Sequence, residues 1–382
     1  LTLPLGVYVH WPYCARICPY CDFNVFRARG REIEASDLAR AIVEDLKAQA
    51  ALTGPRDLVS IFFGGGTPSL MEPGHVADII ASARALWTPA ADLEISLEAN
   101  PTDAEAARFS ALADAGVGRL SLGLQALDDA ALKFLGRSHD AAQARRAAEV
   151  AGATFPRLSL DLIYALPGQT SVGWIETLRH AIALGSEHIS PYQLTIESGT
   201  AFDRAVRRGV FRPPGEDLAA DLYDTTQSVL EAEGFEAYEV SNHARGAAAR
   251  SRHNLVYWRG MDYVGVGPGA HGRLTLDGAR VATVAPDRPA DYLRQVSETG
   301  LGFSARETLT AQDAAEERLL SGLRILEGVA FEDVAILGLN RDHPRVRDFV
   351  QLGLLVADTD RLRATANGRK VLDRLTTELA TA

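Results

Sequence analysis

All three cysteines of the 382-residue chain fall on one short stretch, Cys14-Ala-Arg-Ile-Cys18-Pro-Tyr-Cys21. Three thiolates so placed can grip three corners of a cubane iron–sulfur cluster and leave the fourth iron without a protein ligand, an open position for chemistry. Zinc with His10 as fourth ligand is the alternative, but structural zinc takes pairs of ligands from two separated segments, and no second Cys/His pair supplies the missing half. Three cysteines cannot build a disulfide framework, so their clustering points to metal chemistry in a reducing compartment. A second group is Gly64-Gly65-Gly66-Thr67-Pro68. Residues without side chains let a ligand approach the backbone closely, and a tight turn after a buried strand accounts for one or two glycines but less readily for three followed by Thr-Pro. A third is His253-Asn254-Leu255-Val256-Tyr257-Trp258, which offers an imidazole nitrogen for a metal and two flat apolar faces. A loop histidine beside two core aromatics is the plain alternative, and His10, His243 and His271 are rival ligands.

These groups need elements to hold them. Apolar runs bounded by Gly, Pro, Asn or Asp predict strands at Gly6–His10, Leu58–Phe63, Leu93–Glu98, Arg119–Leu124, Leu158–Ile163 and His188–Leu194. Helical patterns lie between them at Ala35–Ala51, His75–Leu86, Ala104–Ala115, Asp129–Leu135, Ala141–Ala151 and Val172–Leu184, each long enough for a crossover, so the strands are expected to be parallel. The cysteines, the glycines, Glu98, Gln125, Asp161 with Tyr164, and Tyr192 with Gln193 all fall near carboxyl ends of these strands. One shared opening makes them useful together, and the rim of a barrel provides it. The expected fold is α/β, a partial (β/α)6 TIM-like barrel.

Beyond Gly199 come a Pro-Pro-Gly loop at 213–215, a helix near Glu216–Glu233, a strand at Glu236–Val240, a basic small-residue loop at Arg245–Arg252, and a glycine-dense run from Gly265 to His271. Thr310 with Asp313 predicts a capped helix that Gly328 closes, and Gly353–Ala364 reads as a hairpin followed by a helix from Asn367. The division expected is a barrel over 1–240, a connecting region over 241–302, and a small C-terminal α+β winged-helix-like domain over 303–382. With 47% hydrophobic content the chain has ample core material, which excludes disorder. Apolar runs break far short of the ~20 residues that cross a bilayer, and Leu1 to Val9 has no basic start, so a soluble protein without an export signal is expected. A net charge of −11 overall, and of −2 over 303–382, disfavours nucleic acid as a partner.

Cys-x3-Cys-x2-Cys after a first strand resembles the radical S-adenosylmethionine (SAM) superfamily, and Gly64–Pro68 resembles its glycine motif, which holds the methionine amino group. Within it, Tyr8-Val-His-Trp-Pro-Tyr-Cys14, Phe63-Gly-Gly-Gly-Thr-Pro-Ser, Ser96-Leu-Glu-Ala-Asn-Pro, Ser121-Leu-Gly-Leu-Gln and Leu160-Asp-Leu-Ile-Tyr-Ala-Leu-Pro-Gly-Gln-Thr are similar to landmarks of the oxygen-independent coproporphyrinogen III oxidase-like family. The resemblance implies a 4Fe–4S cluster on Cys14, Cys18 and Cys21, with SAM at its open iron and Tyr8 beside it. Gly65, Gly66 and Thr67 would cradle the methionine end, Glu98 would meet its ammonium and Arg137 its carboxylate, and Gln125 and Asp161 would take the ribose hydroxyls. A zwitterion needs one acid and one base, and a ribose needs paired acceptors or an amide, which agrees with that set.

Two departures bear on the branch. The decarboxylases of the family carry a fourth cysteine two positions after the third, where Phe23 stands here, and a longer arm before the cluster. His253–Trp258 resembles instead the HNxxYW motif of the HemW-type haem chaperones. That resemblance implies haem held by His253, Tyr257 and Trp258, with Arg250 and Arg252 toward its propionates. It implies a cytoplasmic haem chaperone that passes haem to an acceptor protein, takes electrons from a reductant such as flavodoxin or ferredoxin, and meets membranes only through an acceptor. Oxidative decarboxylation of coproporphyrinogen III is the alternative function. Radical methyl transfer that opens the haem ring is a third activity of relatives, and no separate feature supports it.

Overall fold

The computed structural model describes residues 2–381, leaving aside Leu1, Ala382 and the side chains of Asp103 and Ala104. The strands β1 (Pro4–Trp11), β2 (Asp57–Gly65), β3 (Thr88–Ala99), β4 (Arg119–Gln125), β5 (Arg157–Tyr164) and β6 (His188–Gln193) lie side by side in that order, all parallel. Helices α1 (Glu32–Thr53), α2 (Pro73–Leu86), α3 (Phe109–Asp114), α4 (Ala141–Thr154) and α5 (Ser171–Ala183) make the crossovers. The helix expected over 104–115 is broken, with a first piece at Asp103–Ala106 and α3 starting at Phe109.

The side chains alternate along each strand. In β4, Leu120, Leu122 and Leu124 are fully buried against the helices, and so are Leu160 and Leu162 of β5 and Val7 and Val9 of β1. The intervening positions carry Arg119, Ser121, Gly123 and Gln125 in β4, and Asp161 and Tyr8 in the other two, all lining one cavity. A closed eight-stranded barrel fills its interior with branched apolar side chains. Here the inward positions are polar or small, so six curled strands enclose a lumen of 520 Å³.

The second half of the chain extends this sheet at both edges. Helix α6 (Glu216–Ala232) leads to β7 (Glu236–Glu239) and β8 (Asn242–Ala244), with β8 antiparallel to β6. Helix α7 (Arg252–Trp258) then carries the chain to β9 (Asp262–Val266), which is parallel to β1, followed by antiparallel β10 (His271–Leu276), β11 (Ala279–Val284) and β12 (Ala305–Thr308). The stretch read as a connection therefore builds four strands, β8 to β11, of a 12-stranded sheet. Helix α7 packs on β1, β2 and β9.

Helix α8 (Ala311–Gly322) opens with the reciprocal Thr310–Asp313 cap, but it ends at Gly322 and not at Gly328. Ile325 bridges back to Glu239 of β7, and Gly328, with φ at 65°, turns the chain into the short strand Val329–Ala330, which pairs with Arg361–Leu362. A bridge between Leu355 and Ala364 closes the wing, and after the short helix Ala366–Lys370 the helix Leu372–Ala380 completes a separate apolar core with Leu319, Leu323 and Val346.

Candidate functional site

The cysteine loop leaves the carboxyl end of β1. A two-residue parallel ladder, Tyr13–Cys14 against Phe26–Arg27, ties its ends together, so Cys14 is buried while Cys18 and Cys21 are half-buried, and all three line the cavity mouth. Thr67 Oγ1 donates to Cys14 Sγ at 3.4 Å, and Arg137 Nη1 donates to Cys18 Sγ at 3.4 Å. Burial pushes the Cys14 thiol up to about 11 and raises Cys21 as well. Burial thus disfavours the thiolate at Cys14 and Cys21, a cost that the positive charge of a bound iron would offset. Among the described residues no three His, Cys, Asp or Glu side chains gather about a point that one metal ion could occupy. In a cubane each thiolate meets a different iron, so the sulfurs need not converge. His10, the fourth zinc ligand considered above, is engaged elsewhere: Nδ1 bonds with the Tyr8 hydroxyl at 3.1 Å and Nε2 donates to the Asn24 carbonyl at 2.9 Å.

The glycines end β2 against the end of β1. At Gly66 a Cβ would lie 2.8 Å from the Trp11 carbonyl oxygen, and at Gly65, where φ is 104°, it would lie 2.5 Å from the His10 ring. Side chains are excluded at both, which leaves bare backbone facing the cavity. Gly65 N–H donates to Glu98 Oε2 at 3.2 Å. Burial, with the Asp161 charge adding, pushes the Glu98 carboxyl up to about 8. Asp161, also raised by burial, accepts from Ser121 Oγ at 2.9 Å and Ser159 Oγ at 3.2 Å. Gln125 has φ at 65°, and its Oε1 is buried in the cavity wall without a partner among the described residues. An orphaned amide oxygen beside a carboxylate fits a pair of ribose hydroxyls. Arg137 Nη2 donates to the Gly123 carbonyl at 3.0 Å and to Asn100 Oδ1 at 2.5 Å.

Helix α7 separates the motif that the sequence ran together. Positions four apart share a helix face, so His253 and Tyr257 both line the cavity, their rings edge to face at 4.8 Å. His253 is buried and both ring nitrogens are bonded: Nδ1 with Ser60 Oγ at 2.9 Å and Nε2 with the Tyr257 hydroxyl at 2.7 Å. Burial pushes its pKa down to about 3, so the ring is neutral. Trp258 departs from the expected platform. It packs outside the barrel with Tyr238, Leu255 and Ile325, under the Arg324 guanidinium at 4.6 Å. Tyr257 stands between the cavity and an outer groove that Trp258 lines. Arg250 and Arg252, expected toward propionates, are ion-paired with Glu236 and Asp92. His243 is buried away from the cavity with Nε2 on Gln227 Oε1, and His271 is exposed at the start of β10.

A family model described as Radical SAM superfamily matches residues 8–181, and one described as HemN C-terminal domain matches 309–371. "Radical S-adenosyl methionine domain-containing protein 1, mitochondrial" of Bos taurus is 40% identical over 97% of this chain and 86% of its own length. "Heme chaperone HemW" of Escherichia coli is 36% identical over 97% of both chains. This chain belongs to the HemW family of the radical SAM superfamily. The solved coproporphyrinogen III oxidase HemN of Escherichia coli superposes with a TM-score of 0.82 at 21% identity, over 100% of this chain and 91% of that one, a likeness of fold. Membership of the superfamily implies the 4Fe–4S cluster and SAM, and the cysteines, glycines and unpartnered Gln125 oxygen described above fit both.

In this HemW-family chain the geometry adds residues to which the sequence reading gave no role. Asn100 joins the two halves of the mouth, donating from Nδ2 to Thr67 Oγ1 at 3.1 Å while it accepts from Arg137. Tyr20, between two cysteines, accepts from Arg137 Nη1 at 3.4 Å. Glu94, buried at an inward position of β3, accepts the N–H groups of Arg252 and His253 at 3.2 Å each and is ion-paired with Arg157 at 2.6 Å. It thereby holds the start of α7, a carboxylate at a helix amino end. Asn100 follows Glu98 within the Ser96–Pro101 landmark, so its place in the motif was the available signal, whereas Glu94 gave none beyond strand alternation.

Proposed function

We propose that this chain is a haem chaperone of the cytoplasm that carries a 4Fe–4S cluster with exchangeable SAM, binds haem through α7, and hands it to an acceptor protein. The observation that carries the reading is the coupling of the HNxxYW helix to the SAM cavity: His253 and Tyr257 line the same lumen as Glu98 and Asp161. Family membership at 36% identity with a protein named as a haem chaperone supports it. No described helix is long and apolar enough to cross a membrane. The cluster and SAM together supply one-electron chemistry when bound. The residues of the chain do the rest: Cys14, Cys18 and Cys21 hold the cluster, Glu98 and Arg137 bind the two charges of the methionine end, and Gln125 and Asp161 orient the ribose. Tyr8 lies inward on β1 beside the glycines, its ring stacked near Phe62 and His253 at 6.3 and 6.2 Å. A flavodoxin- or ferredoxin-class reductant serves the cluster.

Iron ligation by His253 Nε2 requires the Tyr257 hydroxyl to leave it, so haem entry goes with a movement of α7 that also exposes Trp258 to the macrocycle. Anaerobic reconstitution with iron and sulfide, followed by haem titration of wild type and His253→Ala, tests this. One-to-one binding lost in the variant, with the cluster absorption intact, is the expected result. Undiminished binding overturns the role of His253. Release of deoxyadenosine and carbon dioxide from coproporphyrinogen III would replace the chaperone reading with the decarboxylase.

A further inference from the structure

We propose that the floor of the barrel cavity is a carboxylate subsite, separate from the SAM mouth, with Arg119 as its counter-charge. Arg119 is the first residue of β4, faces inward and is 3% exposed. Its guanidinium makes no ion pair among the described residues. Its one hydrogen bond runs from Nη2 to His188 Nδ1 at 3.5 Å, a nitrogen that already bonds with Ser159 Oγ at 2.8 Å. Glu94, Asp161 and Glu98 lie within its electrostatic reach, but none closes an ion pair or hydrogen bond with it, so most of its N–H donors are left for a ligand. The nearby carboxylates are committed elsewhere: Glu94 to Arg157 and two N–H groups of α7, Asp161 to Ser121 and Ser159, and Glu98 to Gly65 N–H.

The SAM site does not use this charge. Its single carboxylate is provided for by Arg137, which bonds to Gly123 O near the far end of β4. Arg119 and Gln125 are the first and last residues of that strand, so their backbones stand about 20 Å apart. One methionine carboxylate cannot serve both ends. Ser190 lines the cavity at the level of Asp161, its hydroxyl donating to Asn242 Oδ1 at 3.0 Å while the Asn242 amide nitrogen donates to Glu239, so Arg119 is the group on the floor with donors to spare. A planar guanidinium matches a carboxylate in two parallel bonds. A doubly charged phosphate would be repelled more strongly by Asp161 and Glu94 than a singly charged carboxylate, so a singly charged group is favoured.

The carboxylate comes either from the propionate edge of a tetrapyrrole, in which case the subsite rests on the haem reading, or from a free small acid, in which case it does not. Reconstituted protein is titrated with protoporphyrin IX, whose missing iron removes axial ligation, with its dimethyl ester, and with succinate. Preference of the wild type for the diacid over the ester by about tenfold, abolished in Arg119→Gln and partly restored in Arg119→Lys, supports the subsite with a propionate in it. Absence of any porphyrin binding, with succinate bound by the wild type and not by Arg119→Gln, supports the subsite for a small acid while the haem reading fails. Equal wild-type affinity for diacid and ester with no succinate binding overturns the proposal without need of a variant. So does a diacid preference or succinate affinity that survives in Arg119→Gln.

Discussion

Glu98 ties ligand binding to a proton. With its carboxyl pushed up to about 8 by burial and by Asp161, the ligand-free site holds Glu98 about nine-tenths protonated at pH 7. An ammonium needs the carboxylate, so the methionine end of SAM expels that proton as it binds. Below pH 8 the affinity for SAM should therefore rise by about tenfold per pH unit, about 1.4 kcal/mol for each, and level off above about 8. Calorimetric titration of the reconstituted protein at pH 7, in two buffers of different ionisation enthalpy, should report roughly 0.9 proton released per ligand. Glu98→Gln should bind SAM weakly, with neither proton release nor pH slope. The same shift acts on stability. The folded value lies above the unfolded value of 4.5, so between those values the folded protein keeps a proton that the unfolded chain releases. The ligand-free protein should then lose stability as pH rises from about 4.5 to about 8, in the same direction as the raised Asp161, and SAM should reverse the loss. A dissociation constant flat from pH 6 to 8 with no proton released would refute the pairing of Glu98 with the ammonium.

Three further outcomes follow from the packing. Gly66→Ala places a methyl 2.8 Å from the Trp11 carbonyl oxygen and the Pro12 carbonyl carbon, both fixed backbone, and should cost about 1–3 kcal/mol in thermal or denaturant unfolding while weakening SAM in the calorimeter. Glu94→Gln removes the acid that holds Arg157 and the first N–H groups of α7, and should cost about 3 kcal/mol. Burial opposes the Glu94 charge, but Arg119, Arg157 and the N–H donors outweigh it and hold the carboxyl below its usual range, so wild-type stability should fall as pH drops below that range while the variant shows less of that fall. Tyr257→Phe frees His253 Nε2 and should speed haem association in stopped flow. A slower or unchanged rate would count against exchange of the hydroxyl for iron.

Strand order and crossovers were legible because each strand carries an unbroken apolar face toward the helices, as Leu120, Leu122 and Leu124 do. The mouth was legible for a related reason: Glu98, Gln125 and the glycines end their strands, and a parallel barrel brings all such ends to one rim. Two things stayed hidden. The region after Gly199 gave short strands whose partners lie far away in the chain, such as β9 on β1, and no local pattern specifies a pairing across some 250 residues. The end of α8 was misjudged at Gly328 because the bridge from Ile325 to Glu239 is likewise non-local.

The motif at 253–258 was legible as a motif, but its helical form was not. As a loop, His253, Tyr257 and Trp258 could all turn to one ligand. As a helix, His253 and Tyr257 share a face, while Trp258 points about 100° round from Tyr257, into another core. The helix begins where it does because Ser251 caps it, with its Oγ accepting from Asn254 N–H at 3.3 Å, and because Glu94 takes the two N–H groups before that. Glu94 is in turn held by Arg157 on β5, and Ser60 on β2 fixes the imidazole. The motif is thus a wall of the lumen anchored on three strands. A ligand that pulls His253 from Tyr257 would strain those anchors, and a change of charge at Glu98 or Asp161 is felt beside them. On the proposed function, occupancy of the SAM site and of the haem site would then report on each other through this one short helix.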